Sequence, residues 1–244
     1  MPEKGSIRIG TSGWNYDHWR VNFYPAGLGQ KDWLDFYAGR FDTVEINNSF
    51  YSLPSAGTFT GWADTVPDDF QFSVKASRYI THMKKLKDPR EPVANFMDSA
   101  GHLGKKMGPV LFQLPPRWRV NAGRLKKFLD QLPSGVMAVF EFRDSSWWDD
   151  RVYSILSDFG AAFCIYHLAG RESPRELTAD FVYIRLHGPG DAYQGRYRKQ
   201  DLGGWAGAAL AWAEAGKDVY IYFDNDQNGY APANAAELRE MTDR

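Results

Sequence analysis

The chain has only one cysteine, Cys164, among its 244 residues, and this scarcity excludes one class of fold. A single cysteine cannot close an internal disulfide, so a small secreted domain held together by disulfides is ruled out. Cys164 lies within an apolar, strand-like segment, and we interpret it as a small buried hydrophobe and not as a nucleophile. The cysteine content therefore indicates a reducing compartment.

Long hydrophobic runs and a strong net charge are missing as well. No segment approaches the roughly 18 consecutive apolar residues of a membrane-spanning helix, and the N-terminal segment MPEKGSIRIG contains no apolar signal core. We therefore expect a cytoplasmic protein with no membrane partner. The formal net charge of -1 argues against a generally basic, nucleic-acid-binding surface and limits such binding to local clusters.

The sequence also lacks the common motifs for metals and nucleotides. There is no HExxH pattern, no pair of cysteines, no P-loop lysine motif and no strand-GxGxxG-helix fingerprint. We therefore predict no metal site and identify no cofactor. One set of residues is compatible with a divalent metal by ligand type, although the spacing does not favour it: Glu45, Glu141, His187 and Asp224.

What the chain has in abundance is aromatic and strand-forming sequence. Aromatic residues make up 16% of the chain and hydrophobic residues 43%, which is enough for a large core. Strand-like segments recur along the chain, and in many of them apolar and polar residues alternate, the period expected of strands with two different faces. These segments are residues 7–14, 43–51, 70–77, 108–116, 136–143, 161–168, 181–187 and 218–226.

Segments with helical spacing follow most of these strands. We predict helices at residues 32–39, from 54 onward, and at 93–106, 122–132, 145–160, 201–215 and 234–241, with Asp32 and Asp201 as N-caps. The sixth unit is the exception, because Pro174 and a short, irregular segment leave little room for a helix.

Eight such units in series predict an α/β fold, a (β/α)8 TIM barrel that forms a single domain over residues 1–244 with an irregular sixth unit. The alternative is a doubly wound open sheet, whose strands would be apolar on both faces because helices cover both. Several strands of this chain carry charged residues on one face, and this favours a barrel with a polar interior.

Strand parity assigns a large polar set to the inward side of that barrel. The set is Arg8, Ser12, Glu45, Asn47, Lys75, Ser77, Gln113, Glu141, Arg143, Arg185, His187, Asp224 and Asp226. An unpaired buried charge is costly, so acids and bases must pair there or reach water. A salt-bridged core without a catalytic role is the structural alternative, and it applies most to deep members such as Arg8.

TIM barrels place their reactive groups at the C-terminal ends of the strands. We predict a catalytic set of Glu45, Glu141, His187 and Asp224, in which Glu45 and Glu141 act as acid and base. The predicted substrate-binding residues are the polar Asn47, Lys75, Arg143 and Arg185 and the aromatic Trp14, Tyr51 and Trp147.

The glycine-rich loop at residues 187–204 is the strongest candidate for anion binding. Gly188 lets backbone N–H groups approach a ligand, Arg198 brings positive charge, and a predicted helix begins nearby. A flexible, solvated loop is the alternative. A second basic cluster at residues 78–87 includes Tyr79, a composition found both in nucleic-acid contacts and in ordinary solvated loops.

Several short motifs together resemble the domain of unknown function 72 family, also called YecE-like. They are IGTSGW, VEINNSFY, FSVKAS, GPVLFQLPP, EFRDSSW, YIRLHG and YFDND, and they extend over nearly the whole chain. The resemblance implies a TIM-barrel-like fold and a polar site that includes Glu45, Glu141 and His187, but it supplies no reaction. The chain departs from the family pattern at Tyr166 and His167 and in the acidic FDND segment.

Three hypotheses for function follow. The first is an enzyme that acts on a small polar substrate or anion by hydrolysis or isomerisation, with phosphorylated and sugar-like compounds as candidates. The second is a nucleic-acid-binding or processing barrel that uses the loops at residues 78–87 and 196–199. The third is a non-catalytic protein whose barrel only holds a ligand. The sequence makes no prediction of oligomeric state.

Overall fold

The computed structural model describes residues 3–243, in which strands and helices alternate along the chain. The strands are β1 (Ile7–Thr11), β2 (Thr43–Ile46), β3 (Gln71–Lys75), β4 (Met107–Gln113), β5 (Ala138–Glu141), β6 (Ala162–Leu168), β7 (Arg171–Glu172), β8 (Phe181–Leu186) and β9 (Asp218–Phe223). The α-helices are α1 (Trp33–Ala38), α2 (Ala56–Thr65), α3 (Arg90–Ala100), α4 (Ala122–Leu129), α5 (Asp150–Asp158), α6 (Lys199–Glu214) and α7 (Tyr230–Thr242). None of the helices in the described part of the chain has the length and hydrophobicity needed to cross a lipid bilayer.

The described chain divides into two compact units. The first unit contains residues 3–45, 165–175 and 180–243, and the second contains residues 46–164 and 176–179. Strand β6 begins in the second unit and ends in the first. The single domain expected over residues 1–244 stays a prediction.

Parallel strands form the frame of the first unit. Strand β9 pairs with β1 on one side and with β8 on the other, so that both Thr11 and Leu186 lie opposite Phe223. A parallel bridge joins Ser12, which follows β1, to Glu45 in β2. Because these strands are parallel and in register, the polar residues that follow β1, β8 and β9 emerge at one edge.

Helices α6 and α7 pack on these strands and on each other. Leu202, Trp205 and Ala209 form the buried stripe of α6, as helical spacing predicts. The start of α6 differs from the prediction, because Arg198 and not Asp201 is the N-cap. Asp201 is the third helical residue, and its carboxylate accepts a hydrogen bond from the Arg198 backbone N–H at 3.2 Å. An acidic residue at that position supports the helix start from inside the first turn.

Aromatic packing holds the long loop between β1 and α1. Tyr24 stacks on Trp33 of α1 with ring centroids 4.5 Å apart, and the buried Trp19 packs against Tyr24 at 6.0 Å. The Tyr24 hydroxyl also donates a hydrogen bond to the backbone carbonyl of Trp14. This loop is therefore ordered by its own large side chains, and it carries residues of the site described below.

Strands β3, β4, β5 and the first half of β6 form the parallel frame of the second unit. Val74 lies opposite Val110, Val110 opposite Ala138, and Phe140 opposite Phe163. Within this unit the buried Lys106 donates hydrogen bonds to the backbone carbonyls that end α2, those of residues 63 and 66, at 2.6 and 2.7 Å. A lysine used in this way completes the C-terminus of a helix.

Three segments interrupt the regular succession of strands and α-helices. The helix expected over residues 93–106 ends at Ala100, and a 3-10 segment follows in which Gly104 has a positive φ of 59° that interrupts helical geometry. In the basic cluster at residues 78–87, Tyr79–Met83 forms a π-helical turn. After β6, strand β7 pairs antiparallel with β6 where a regular unit would have a helix, so the sixth unit is irregular as predicted.

Candidate functional site

Glu45 and Arg185 form a fully buried ion pair in the first unit. The Arg185 guanidinium donates to both carboxylate oxygens, with Nη2 to Oε1 at 2.7 Å and Nε to Oε2 at 3.0 Å. Two hydroxyls complete the carboxylate shell, Ser12 at 2.8 Å and Tyr183 at 2.6 Å. A buried ion pair persists when its remaining lone pairs are also satisfied, and this one meets that condition.

Arg185 extends the network to His187 and Asp224. Its Nη2 lies 3.3 Å from Asp224 Oδ2, and its Nη1 lies 3.3 Å from His187 Nε2. The other ring nitrogen of His187, Nδ1, lies 2.9 Å from Asp224 Oδ2. Because a guanidinium only donates, Nε2 accepts from Arg185, and the ring proton resides on Nδ1, which donates to Asp224. His187 thus orients the Asp224 carboxylate.

Asp226 is the second partly exposed carboxylate of this cluster, with 21% of its side chain exposed compared with 17% for Asp224. Burial raises the pKa of the Asp226 carboxyl from 3.8 to about 6, and the negative charge of Asp224 acts in the same direction. Hydrogen bonds from Trp19 and His18 act against this rise. His18 Nε2 lies 2.9 Å from Asp226 Oδ2, so an imidazole lies beside the carboxyl.

Tyr16 adds a phenol to the same cluster. Its hydroxyl donates to the backbone carbonyl of Ser12 at 2.6 Å. Burial, followed by the charges of Asp224, Asp226 and Glu45, raises the pKa of Tyr16 above its usual 10.0. The phenol is therefore neutral near pH 7 and acts as a hydrogen-bond donor.

Two aromatic rings lie against His187. Tyr166, on β6, meets it edge to face at 6.3 Å, and Tyr193 does so at 5.4 Å. The Tyr193 backbone N–H also donates to the His187 carbonyl. The departure from the family pattern at Tyr166 thus falls beside this cluster, and its neighbour His167 contacts the Tyr197 hydroxyl through Nδ1 at 2.9 Å.

Hydrogen bonds hold the glycine-rich loop that follows β8 at several points. Gly188 has a positive φ of 117°, and a Cβ there would meet the Gln194 carbonyl oxygen at 2.2 Å, so only glycine fits. The Gly188 N–H donates to the Tyr197 hydroxyl at 3.0 Å, and Asn225 Nδ2 donates to the Gly195 carbonyl at 2.9 Å. These bonds disfavour the alternative of a purely flexible loop. Arg198 lies at the loop's end with 78% of its side chain exposed, paired with a carboxylate of α6.

The second unit holds the other predicted catalytic carboxylate, Glu141. It is fully buried and accepts a hydrogen bond from Arg143 Nε, two residues along the chain. The thiol of Cys164 lies 3.9 Å from Glu141 Oε2, and Cys164 is buried, as expected for a small hydrophobe. Glu141 and Arg143 thus form a local pair.

Lys75 and Asn47, both predicted to bind substrate, also belong to the second unit. Lys75 Nζ lies 4.7 Å from the centroid of the Phe50 ring, which His82 meets edge to face at 5.0 Å. Burial, reinforced by the positive charges of Lys75 and Arg78, lowers the pKa of His82 from 6.5 to about 4. The buried Oδ1 of Asn47 has no hydrogen-bond partner within residues 3–243.

The three predicted aromatic binders have different environments. Tyr51 is 75% exposed, whereas Trp14 is mostly buried. Trp147 is fully buried, stacks on Phe142 at 4.9 Å, and donates its Nε1–H to the Trp118 carbonyl. Since Trp147 has no exposed face for a ligand, it has no part in the function proposed below.

The described residues include no group of three or more His, Cys, Asp or Glu side chains arranged to hold a metal ion. Glu45 and Asp224, two of the residues compatible with a metal by type, pair with Arg185.

From the sequence, Ser12 and Asp226 are predicted to lie on the inward face, but no role is predicted for either of them. No role is predicted for Tyr183 either. A signal for Tyr183 was present, because it lies two residues before Arg185 on the same strand face. The shifted pKa of Asp226 has no such signal, since it arises from burial in the folded chain.

Comparison with known proteins bears on this architecture. The profile of a family described as "Protein of unknown function DUF72" matches residues 8–244. The chain belongs to the DUF72 family. The resemblance drawn from its short motifs is therefore confirmed.

Relatives of this DUF72 protein occur in distant bacteria. UPF0759 protein YunF of Bacillus subtilis is 27% identical over 271 residues, which cover 97% of this chain and 95% of YunF. UPF0759 protein YecE of Escherichia coli strain K12 is 30% identical over 128 residues, which cover 52% of this chain and 44% of YecE.

Solved structures match over almost the full chain. A DUF72 family protein from Thermotoga maritima has a TM-score of 0.89 and 26% identity, covering 98% of this chain and all (100%) of its own. A DUF72 family protein from Enterococcus faecalis has a TM-score of 0.84 and 18% identity, covering 98% and 96% of the two chains. The predicted fold class, an α/β fold of the TIM-barrel type, is confirmed.

Proposed function

We propose that this DUF72 protein is an enzyme that transfers protons on a small polar substrate, in a hydrolysis or an isomerisation. The reaction takes place at the C-terminal edge of β1, β2, β8 and β9, and phosphorylated and sugar-like compounds are the candidate substrates. One observation carries the proposal: Asp224 and Asp226, alternate residues after β9, are both partly exposed but have different surroundings. Enzymes use such pairs of carboxyl groups to divide acid and base work.

The surroundings assign a different role to each carboxyl group. Asp226, with a pKa of about 6, exchanges a proton with the substrate, and His18 beside it accepts or supplies that proton. Asp224 is held by a permanent cation, Arg185, and binds or polarises the substrate as a carboxylate. Glu45 is a positioning residue, because its oxygens are occupied by buried donors. The proposal thus gives acid and base work to Asp226 and Asp224, and the assignment of Glu45 and Glu141 drawn from the sequence stays a prediction.

The reaction class is tested by incubating the protein in D2O with a panel of aldoses, ketoses, sugar phosphates and nitrophenyl esters. Proton abstraction from carbon during an isomerisation introduces deuterium into the product, whereas hydrolysis releases a new alcohol or acid without carbon-bound deuterium. Proton NMR spectroscopy distinguishes the two outcomes in one experiment.

The role of Asp226 is tested by Asp226→Asn, which keeps the shape of the side chain and removes its proton exchange. We expect turnover to fall by about 10²- to 10⁴-fold, the usual contribution of a general acid or base. The matched control is Asp17→Asn, which changes an exposed aspartate that pairs at the surface with Arg20 and should leave turnover unchanged. Equal rates in the two variants, or no turnover of any compound, would contradict the proposal.

A nucleic-acid-binding function is the second candidate, and one surface of the second unit favours it. Tyr79 and Met83 are exposed, and Lys84 Nζ lies 5.9 Å from the Tyr79 ring centroid. Exposed rings beside lysines suit single-stranded nucleic acid. This function predicts binding that weakens with salt and is lost in Lys84→Ala/Lys85→Ala, but not in Lys126→Ala/Lys127→Ala on α4. Binding that is insensitive to salt and to both double variants would remove this candidate.

A further inference from the structure

A pocket of about 640 Å³ lies in the first unit, apart from the cluster around Arg185. Its walls come from residues 167–175, from the loop at 189–198 and from the first turns of α6, and none of Asp224, Asp226 and His187 lines it. Its volume falls within the roughly 300–1,000 Å³ of small-molecule sites.

Three arginines line this pocket, and a carboxylate orients each of them. Arg175 pairs with Glu172, and Arg196 pairs with Glu237 outside the pocket. Arg198 makes a two-bond fork with Asp201, with Nε to Oδ2 at 3.0 Å and Nη2 to Oδ1 at 3.1 Å.

A guanidinium has five N–H donors, so the Arg198 fork leaves three for another acceptor. Among the lining residues, the guanidinium groups outnumber the carboxylates of Glu172 and Asp201 by one. These ion pairs are partly or largely exposed and therefore weak, so an incoming oxyanion competes with the carboxylates for groups that are already oriented.

Aromatic and glycine residues complete the walls. The Arg175 guanidinium lies over the Trp205 ring at 4.4 Å, which fixes its plane. Gly190 has open space where a Cβ would lie, so a ligand can approach the backbone there. The pocket thus offers planar cationic donors and bare backbone, the groups that recognise phosphate and sulfate.

The walls of the pocket also hold the backbone on both sides of His187. The Tyr197 hydroxyl accepts the Gly188 N–H at 3.0 Å and contacts His167 Nδ1 at 2.9 Å. The His187 N–H donates to the His167 carbonyl at 2.8 Å. A shift of Tyr197 or His167 on ligand binding therefore moves the backbone that positions the His187 ring.

We propose that this pocket binds a phosphate-type oxyanion and that binding is transmitted to His187 through Tyr197. The oxyanion is either the phosphate group of the substrate or that of a separate phosphorylated molecule. The inference goes beyond the proposed enzymatic function, because binding and its effect on His187 are measured without turnover.

Binding is tested with inorganic phosphate, followed by phosphorus NMR spectroscopy on the full chain. We expect saturable binding that Arg198→Gln weakens by about tenfold, the loss expected for one charge-assisted hydrogen bond. Arg151→Gln is the matched control, because Arg151 makes the same two-bond fork with Asp149 and is equally exposed, at 78%. Arg175→Gln gives a second, independent reduction. No saturable binding, or equal affinity in Arg198→Gln and Arg151→Gln, would overturn the site.

The effect of phosphate binding on His187 is tested by following the carbon-bound proton resonances of the His187 ring during the phosphate titration. We expect these resonances to shift in the wild type and to stop shifting in Tyr197→Phe, which retains phosphate affinity within about twofold because the arginines are intact. A shift that persists unchanged in Tyr197→Phe, or no shift in the wild type, overturns the coupling even if phosphate binds.

Ribose 5-phosphate distinguishes the two sources of the oxyanion. If the phosphate belongs to the substrate, the affinity for ribose 5-phosphate changes in Asp226→Asn, and if it belongs to a separate molecule, the affinity is the same as in the wild type. Because this readout is binding, its failure is distinguishable from failure of the proposed enzymatic function, which is read by turnover.

Discussion

Two buried carboxylate–arginine pairs within the described residues are built in different ways. In the first unit, Glu45 of β2 pairs with Arg185 of β8, 140 residues away, and the guanidinium continues to His187 and Asp224. In the second unit, Glu141 pairs with Arg143, which lies two residues further along the same segment. The first pair joins two strands that are far apart in the chain and connects to further side chains of the site, whereas the second joins two positions of one segment. The first pair is therefore suited to support a reaction site.

The largest expected effect comes from removing each carboxylate in turn. Glu45→Ala removes the carboxylate that accepts two hydrogen bonds from the buried Arg185 guanidinium, and we expect the free energy of unfolding to fall by about 3–5 kcal/mol. Arg143 is less buried than Arg185, so Glu141→Ala should cost less, about 1–3 kcal/mol. Urea denaturation measures both, with the exposed Glu214→Ala as control. If Glu45→Ala and Glu141→Ala lower the free energy of unfolding equally, the distinction between the two pairs is removed.

The hydrogen bond that the Tyr183 hydroxyl donates to Glu45 provides a second test of the Glu45 network. Tyr183→Phe removes a hydrogen bond to a charged group and should cost about 1.5–3 kcal/mol of unfolding free energy. Tyr222→Phe removes a bond between neutral hydroxyls, that of Tyr222 and Thr43, and should cost about 0.5–1.5 kcal/mol. Both tyrosines are fully buried, so the difference reports the charge of the acceptor. Tyr222→Phe being as costly as Tyr183→Phe would argue against a special role for the Glu45 network.

Asp226 and His82 should contribute to the pH dependence of stability with opposite signs, and Asp226 belongs to the first unit. Its pKa is raised from 3.8 to about 6, so between these values the folded state keeps a proton that the unfolded state has released, and stability falls as pH rises. Asp226→Asn should therefore stabilise the protein at pH 7 by roughly 1–2 kcal/mol, allowing for solvent screening. The gain should disappear below about pH 4, the lower end of the window. Thermal unfolding from pH 3.5 to 8 measures this, and a gain that is constant with pH would contradict the assignment.

His82, in the second unit, should give the opposite dependence of stability on pH. Its expected effect is smaller than those of the three predictions above. Its pKa is lowered from 6.5 to about 4, so in that window the unfolded state binds the extra proton and stability rises with pH. His82→Asn loses ring packing at every pH, but it should flatten this rise, by about 1 kcal/mol after discounting for solvent. The slope of the unfolding free energy between pH 4 and 6.5 is the measurement, and an unchanged slope would show that His82 does not titrate there.

The alternation in segments such as 43–51 and 181–187 was enough to predict the α/β barrel class, the strands and the inward set of polar residues. It also predicted the irregular sixth unit, because Pro174 interrupts any helix there. Helix ends were less predictable. Arg198 and not Asp201 caps α6, since an acidic residue suits both the cap and the first turn that follows it.

The membership of the polar cluster follows from the sequence, because a period of two directs Glu45, Arg185, His187 and Asp224 to one face of parallel strands. The division of roles does not, because it depends on distances between residues far apart in the chain. Only the tertiary structure surrounds the Glu45 oxygens with Arg185 and Tyr183, and only the folded chain buries Asp226 enough to raise its pKa. Side-chain direction is a local property of a strand, whereas desolvation and charge pairing arise from the surroundings that the folded chain creates.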